Sequence, residues 1–378
     1  MKSKLSIICS ALLILAACTG KPASDITLSG LSKADFDTTL SGQKIALYQL
    51  KNKNGVEVAI TNYGGRIVSI WVPDRNGKFG DIALAHESIA DYLADTAGNF
   101  GALIGRYGNR INQGKFILDS VEYQLPQNNF GHCLHGGNTG FHHRIWNAFQ
   151  PDEQTIELTC VSPDGEAGFP GQLSTKVTYS LSDDNALTIR YEAETDKPTI
   201  VNLTNHAYFN LSANPENTIL DEQLMLNADN YTPIDSTFMT DGEIVPVEGT
   251  PMDFRKPVAI GQRINDDFIQ LKNGKGYDHN FVLNTNGDIS QIAAKAYDPN
   301  SGRTLEVYTN EPGIQFYAGN FLDGTVKGKK GIYYPQRSAF CLETQHFPDS
   351  PNKPEWPSVV LRPGEKYNSI CIYKFGVE

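Results

Sequence analysis

The chain has 378 residues, a formal charge of −11 at neutral pH and a pI near 5.2. With no run of lysines or arginines to offset that balance, nucleic acid is excluded as a partner, because neutralising phosphates takes a basic face. Hydrophobic residues at 40% and charged residues at 20% are ordinary globular values, so a chain of this length can bury a large core.

Lys2 and Lys4 precede an apolar run from Leu5 to Ala17. The run is shorter than the ~20 residues a spanning helix needs, and its charged-then-apolar order is that of a secretory signal. Leu15-Ala16-Ala17-Cys18 resembles the lipobox of bacterial lipoproteins. Residues 1–18 are therefore expected to be a lipoprotein signal peptide, with Cys18 carrying the acyl chains after cleavage. Two or more chains suffice for stable attachment, which predicts an exported, membrane-anchored protein, periplasmic or at the cell surface. Residues 19–39, which include Lys21-Pro22-Ala23-Ser24-Asp25, read as a polar tether.

The body, residues 40–378, is written in strands. Val56–Thr61, Thr175–Ser180 and Ala186–Tyr191 alternate apolar and polar residues at the period of two that a half-buried strand requires. Asn54-Gly55, Asn76-Gly77, Asp164-Gly165, Asp241-Gly242, Asn273-Gly274, Asn286-Gly287 and Asp323-Gly324 supply turn signals between them. Helical periodicity is confined to Glu87–Ala94, with Ile89, Leu93 and Tyr92 as its inward candidates. No linker divides the body and no repeat of fixed period occurs, so it is read as one large all-β antiparallel sandwich, a single domain. Cys133, Cys160, Cys341 and Cys371 have no CxxC spacing and no dense framework, which indicates neither zinc nor a disulfide scaffold.

Residues 202–212, NLTNHAYFNLS, raise the question of site chemistry. As a strand they place Val201, Leu203, Ala207, Phe209 and Leu211 on one face and Asn202, Thr204, His206, Tyr208 and Asn210 on the other. Solvated strand faces carry lysine, glutamate and threonine. This one carries amides, a phenol and an imidazole, a set suited to a polar, uncharged ligand such as a sugar.

Glu343 lies in Phe340-Cys341-Leu342-Glu343-Thr344-Gln345, where its neighbours are otherwise apolar. A partly buried carboxylate is uncommon unless it is paired or used. With reference pKa values of about 6.5 for His206 and about 4.3 for Glu343, the two coexist as acid and base between those limits. A concerted proton exchange with one substrate needs that arrangement, and it predicts a bell-shaped pH profile. Two other chemistries remain open on the residues alone. Asp278 with Glu343 would give the two carboxylates of a glycosidase, and His132, His135, His142 and His143 offer metal ligands without an acidic partner at fixed spacing.

The motifs Gly105-Arg106 with Asn109-Arg110-Ile111, Leu134-His135-Gly136-Gly137, Asn202-Leu203-Thr204-Asn205-His206, Asp278-His279-Asn280-Phe281, Pro312–Tyr317 with Gly319-Asn320-Phe321, and Leu342-Glu343-Thr344-Gln345 occur in one order along the chain. With Thr61–Ile67 and Val72-Pro73-Asp74 near the start and Leu361–Glu365 near the end, this series resembles the aldose 1-epimerase (galactose mutarotase) family along nearly the whole body. The resemblance implies a β-supersandwich, no cofactor, and a cleft for a free hexose such as galactose or glucose. It implies His206 as proton donor, Glu343 as proton acceptor, and His135 as a second imidazole beside the sugar ring. Asn109, Arg110, Tyr208, Asp278 and Gln315 fall at positions that hold sugar hydroxyls in the family. Arg106, His132 and His279 adjoin matched positions and are read as structural. Asn202-Leu203-Thr204 and Asn210-Leu211-Ser212 match a glycosylation sequon, read here as chance within a site strand.

The export signal departs from the family's usual form and leaves the physiological sugar open. The alternative from another class is a periplasmic or surface glycan-binding lipoprotein on the same fold, which would bind sugar without accelerating any reaction.

Overall fold

The computed structural model describes residues 25–95 and 98–378. The expected signal peptide and Cys18 lie outside the described residues. Among the described residues, no helix is long and apolar enough to cross a membrane.

Three antiparallel sheets carry the fold. The largest has nine strands, in the spatial order Asn147–Asp152, Thr155–Ser162, Leu173–Leu181, Ala186–Thr195, Tyr367–Val377, Arg303–Thr309, Ala294–Tyr297, Gln223–Leu226 and Val258–Ala259. A five-stranded sheet runs Val245–Pro246, Asn230–Thr232, Asp278–Val282, Gly313–Tyr317, Cys341–Gln345, and a four-stranded sheet runs Leu47–Lys51, Glu57–Thr61, Arg66–Pro73, Phe79–Asp81. This is the expected all-β sandwich.

Alternation explains the large sheet. In Leu173–Leu181 the residues Leu173, Thr175, Val177, Tyr179 and Leu181 are buried, while Ser174, Lys176, Thr178 and Ser180 face outward. Such a strand covers the core with one face and meets water with the other. The five-stranded sheet differs, because Gly313–Tyr317 and Cys341–Gln345 are buried at every residue. Ile314, Phe316 and Leu342 join the main apolar core, so their polar neighbours Gln315, Glu343 and Gln345 point to the opposite face. That face forms the floor of a cleft.

The expected strands match observed ones, except that Val56 precedes the strand Glu57–Thr61, and Asn54-Gly55 and Asn76-Gly77 close hairpins, with both glycines at positive φ. Three expectations need correction. Asn273-Gly274 does not turn between strands but ends a short helix, Ile269–Gly274, whose left-handed cap is Lys275. In the helix Ile89–Ala94, Ile89 and Tyr92 are buried while Leu93 is exposed, because one and a half turns bring only one narrow face to the core. The ordered body also starts well before residue 40. Leu31 and Phe36 are buried against it, the Leu28 N–H donates to Glu57 Oε1 at 2.7 Å, and Ser29 Oγ donates to Ser69 Oγ at 3.0 Å. Two well-placed apolar side chains outweigh the polar average of the segment. All four body cysteines are buried and unpaired.

Candidate active site

Asn109, Arg110, His135, His206, Tyr208, Asp278, Gln315 and Glu343 all line one cavity of about 380 Å³. They come from distant parts of the chain, and strand pairing brings them together. Thr204–His206 pairs with Ala102–Ile104, which sets His206 opposite Ala102. In the five-stranded sheet Gln315 lies opposite Glu343 on one side and Asn280 on the other, so their side chains share the cleft face. Gln315 Nε2 donates to Asp278 Oδ1 at 2.7 Å. A larger concavity of about 560 Å³ lies near Leu40, but there the charges of Arg144 and Glu166 are spent on each other.

His206 Nε2 stands 3.7 Å from Glu343 Oε1. The imidazole is fixed on its other sides: its ring stacks on Tyr208 at 4.9 Å between centroids, and its Nδ1 lies 3.4 Å from Cys341 Sγ. Oε2 of Glu343 is buried and has no hydrogen-bond partner among the described residues. An unpaired buried carboxyl oxygen costs stability unless something enters to use it.

Burial moves both groups toward their uncharged forms. It pushes the His206 imidazole down to about 3, with a smaller push from the Arg66 guanidinium. It raises the Glu343 carboxyl well above the usual range, helped by Asp278 and opposed by Arg110. Both shifts favour the arrangement with the proton on Glu343 and His206 neutral. This corrects the simple picture of a carboxylate and an imidazolium coexisting only between about 4.3 and 6.5, the values of unperturbed groups. Opposite shifts widen the pH span over which the pair holds one proton.

His135 is also buried, and desolvation together with His206 and His142 holds its imidazole well below the usual value. Its ring meets His206 edge-on at 5.4 Å. The Asn109 N–H donates to His135 Nδ1 at 3.2 Å, so the neutral ring carries its proton on Nε2. His135, His206 and Glu343 each offer an atom within 4.8 Å of the others, a spacing a metal could use. The tautomer opposes it, because metal-bound histidines donate from their second nitrogen, whereas here that nitrogen accepts.

Arg110 donates to Asn129 Oδ1 from Nε at 3.3 Å and from Nη2 at 2.9 Å, and its guanidinium attracts both Asp278 and Glu343. Sequence reasoning missed Asn99, Asn129 and Tyr317, all of which border the cavity. Tyr317 sits in a quoted motif; nothing in the sequence marks the other two. The neighbours read as structural have structural partners. Arg106 donates to the carbonyls of Pro170 and Gly171, His132 is held by the Gln113 N–H and Thr237, and His279 by the Asp278 N–H and Gln270. The other two histidines offered as ligands, His142 and His143, belong to a short 3-10 turn, Phe141–His143. Asn202 and Asn210 are buried with their amides donating to backbone carbonyls, which leaves neither sequon accessible.

The aldose 1-epimerase family profile matches residues 46–374. Galactose mutarotase of Rattus norvegicus is 44% identical over 336 residues, 89% of this chain and 95% of that protein. Aldose 1-epimerase of Escherichia coli (strain K12) is 38% identical over 339 residues, 89% of this chain and 97% of that protein. Among solved structures, an aldose epimerase homologue from C. elegans superposes with a TM-score of 0.81 at 30% identity, covering 88% of this chain and 99% of its own. Galactose 1-epimerase from Lactobacillus acidophilus NCFM gives 0.79 at 31%, covering 90% and 97%. Motif order, sheet architecture and matched length agree, and the chain belongs to the aldose 1-epimerase family.

Proposed function

We propose that the protein interconverts the α and β anomers of free hexoses such as galactose and glucose, with His206 and Glu343 as the acid–base pair. The observation that carries the assignment of roles is the 3.7 Å approach of His206 Nε2 to Glu343 Oε1 on the floor of a cleft lined largely by polar side chains.

The chemistry needs one proton on the pair. A bound sugar donates hydroxyl hydrogen bonds to Glu343, which favours its carboxylate and shifts the shared proton to His206. Glu343 then takes the proton of the anomeric hydroxyl while His206 protonates the ring oxygen. The C1–O5 bond breaks, its electron pair staying on O5, as the O1–H electrons form the carbonyl. Rotation about C1–C2 presents the other carbonyl face. His206 recovers the proton from O5, Glu343 returns one to O1, and the ring closes as the second anomer with no net proton consumed. His135 donates from Nε2, and Arg110, Asn109, Asp278, Gln315 and Tyr208 hold the hydroxyls that fix the ring.

Polarimetry on freshly dissolved α-galactose and α-glucose tests the reading. The native protein speeds the approach to equilibrium rotation, and His206→Asn or Glu343→Gln each slow it about 10² to 10⁴-fold. Saturable sugar binding with no acceleration by the native protein would instead establish the glycan-binding alternative. The export reading belongs to the same proposal: Cys18 is lipidated and holds the enzyme at a membrane outside the cytoplasm. Palmitate incorporation that Cys18→Ser abolishes supports it; unlabelled native protein in the soluble fraction overturns it.

A further inference from the structure

Another cavity, of about 360 Å³, shares no residue with the sugar cleft. Its lining comes from the loop 212–222, which leads from the strand Tyr208–Phe209 to the strand Gln223–Leu226, and from the turn that joins Ala294–Tyr297 to Arg303–Thr309. Every lining side chain carries an oxygen and none carries a positive charge. Four of them are carboxylates. Glu216 and Asp221 are exposed at the rim, whereas Glu222 and Asp298 are only 2% and 1% exposed.

The two buried carboxylates are incompletely used. Asp298 accepts the Asn300 N–H on Oδ1 at 3.2 Å and the Ser301 N–H on Oδ2 at 2.9 Å, and each oxygen keeps a further lone pair. Glu222 accepts the Leu211 N–H on Oε1 at 3.0 Å, but its Oε2 is buried with no hydrogen-bond partner among the described residues. The Arg303 guanidinium attracts Asp298 without serving either group, since it donates to the carbonyls of Val72, Lys78, Leu211 and Ser212. Buried charges are paired or coordinate metals. Burial and the Asp298 charge both act against an ionised Glu222, so the pair holds either a cation or a proton. A shared proton needs only the two carboxyls and a dry enclosure. Here the pair instead continues outward into amide, hydroxyl and carboxylate oxygens that reach solvent.

We infer that Glu222 and Asp298 are the inner ligands of a calcium ion, with side-chain oxygens of the rim and water completing its shell. Calcium accepts about six to eight oxygens in irregular geometry, whereas magnesium demands a near-regular octahedron. Carboxylates already fixed by backbone N–H groups adapt poorly to the second. With two buried carboxylates the site belongs with the weak extracellular class, at a Kd of about 0.1 to 1 mM. The ion fastens the loop that follows the His206 strand onto the large sheet, so it acts on stability and leaves the sugar chemistry alone.

The test uses the full chain, stripped with EDTA and dialysed, then given CaCl2, MgCl2 or KCl at matched ionic strength. About 10 mM calcium is expected to raise the unfolding temperature by about 2 to 4 °C, the linkage expected for that Kd in a chain of this size. Calorimetric titration with CaCl2 should saturate at one site, and magnesium and KCl should produce neither effect. Glu222→Gln keeps an acceptor for the Leu211 N–H and should abolish both calcium signals while galactose mutarotation stays within about twofold. Absence of heat and of any shift overturns the inference, as do an equal shift with magnesium or KCl and a Glu222→Gln variant that binds calcium like the native chain. Should that variant fail to fold, the titration of the native chain decides alone. A native chain indifferent to calcium, with Glu222→Gln more stable at pH 7, would place a proton between the two carboxyls instead.

Discussion

The Asn109 backbone N–H, 3.2 Å from His135 Nδ1, fixes the tautomer of a ring that burial keeps uncharged. His135 therefore serves the sugar as a hydrogen-bond donor rather than as a second acid. His135→Gln, which keeps an N–H, is expected to retain kcat within about tenfold, whereas His135→Leu loses about 10²-fold, the cost of one well-placed donor. Neither variant should move the limbs of the pH profile. A shifted limb in His135→Gln would identify the ring as a titrating member of the mechanism.

The pH dependence follows from the directions in which burial moves the pair. A depressed His206 takes its second proton only near pH 3, and a raised Glu343 gives up the shared proton above the ordinary carboxylate range. Activity is expected to hold on both sides of the interval from about 4.3 to about 6.5 that unperturbed groups would allow. The rate of galactose mutarotation measured across pH checks this. A maximum confined to that interval would mean that neither shift exists.

Glu343 also links stability to pH. Its folded-state pKa is raised, so its stabilising share is complete below the unfolded value and is lost as pH rises through the folded one. Glu343→Gln removes that loss. Denaturant unfolding should show the variant gaining stability relative to the native protein between pH 4 and pH 7, while activity falls. A variant uniformly less stable at both pH values would indicate that the carboxyl is a structural partner.

Cys341 is buried beside the reacting imidazole, its Sγ 3.4 Å from His206 Nδ1, and its thiol is held well above the usual value by burial. Cys341→Ser keeps a group that can both donate and accept at Nδ1. Cys341→Ala removes it and should lower kcat by about five- to tenfold, the worth of one ordinary hydrogen bond, with KM unchanged. Equal rates in the alanine and serine variants would assign the thiol to packing alone.

How much of this could be read from the sequence depends on where each residue sits. Thr204–His206 and Cys341–Gln345 lie in a sheet region buried on both faces, so polar residues there had no solvent to explain them. His206 and Glu343 were legible for that reason. Asp278 and Gln315 came from motif resemblance, since alternation alone does not distinguish a sugar ligand from a satisfied core amide. The His135 tautomer was hidden because it depends on left-handed backbone at Asn109 and His135, at φ 63° and 55°. Asn129, which holds Arg110, comes from a loop whose path no periodicity reveals. The helix Ile269–Gly274 is too short to show a period, and the packed segment around Phe36 looked like tether because its composition is polar on average.

One consequence of the nine-stranded sheet concerns how the protein is made. Tyr367–Val377 sits in its middle, paired with Ala186–Thr195 on one side and Arg303–Thr309 on the other. Ala186–Thr195 and Arg303–Thr309 pair early on their other sides, with Leu173–Leu181 and Ala294–Tyr297, but each keeps one open edge until synthesis has passed residue 377. Assembly of the sandwich is therefore late and slow, dominated by pairings between residues far apart in sequence. A ribosome that stops before residue 367 releases two half-sheets exposed to aggregation, and with them no partial catalyst.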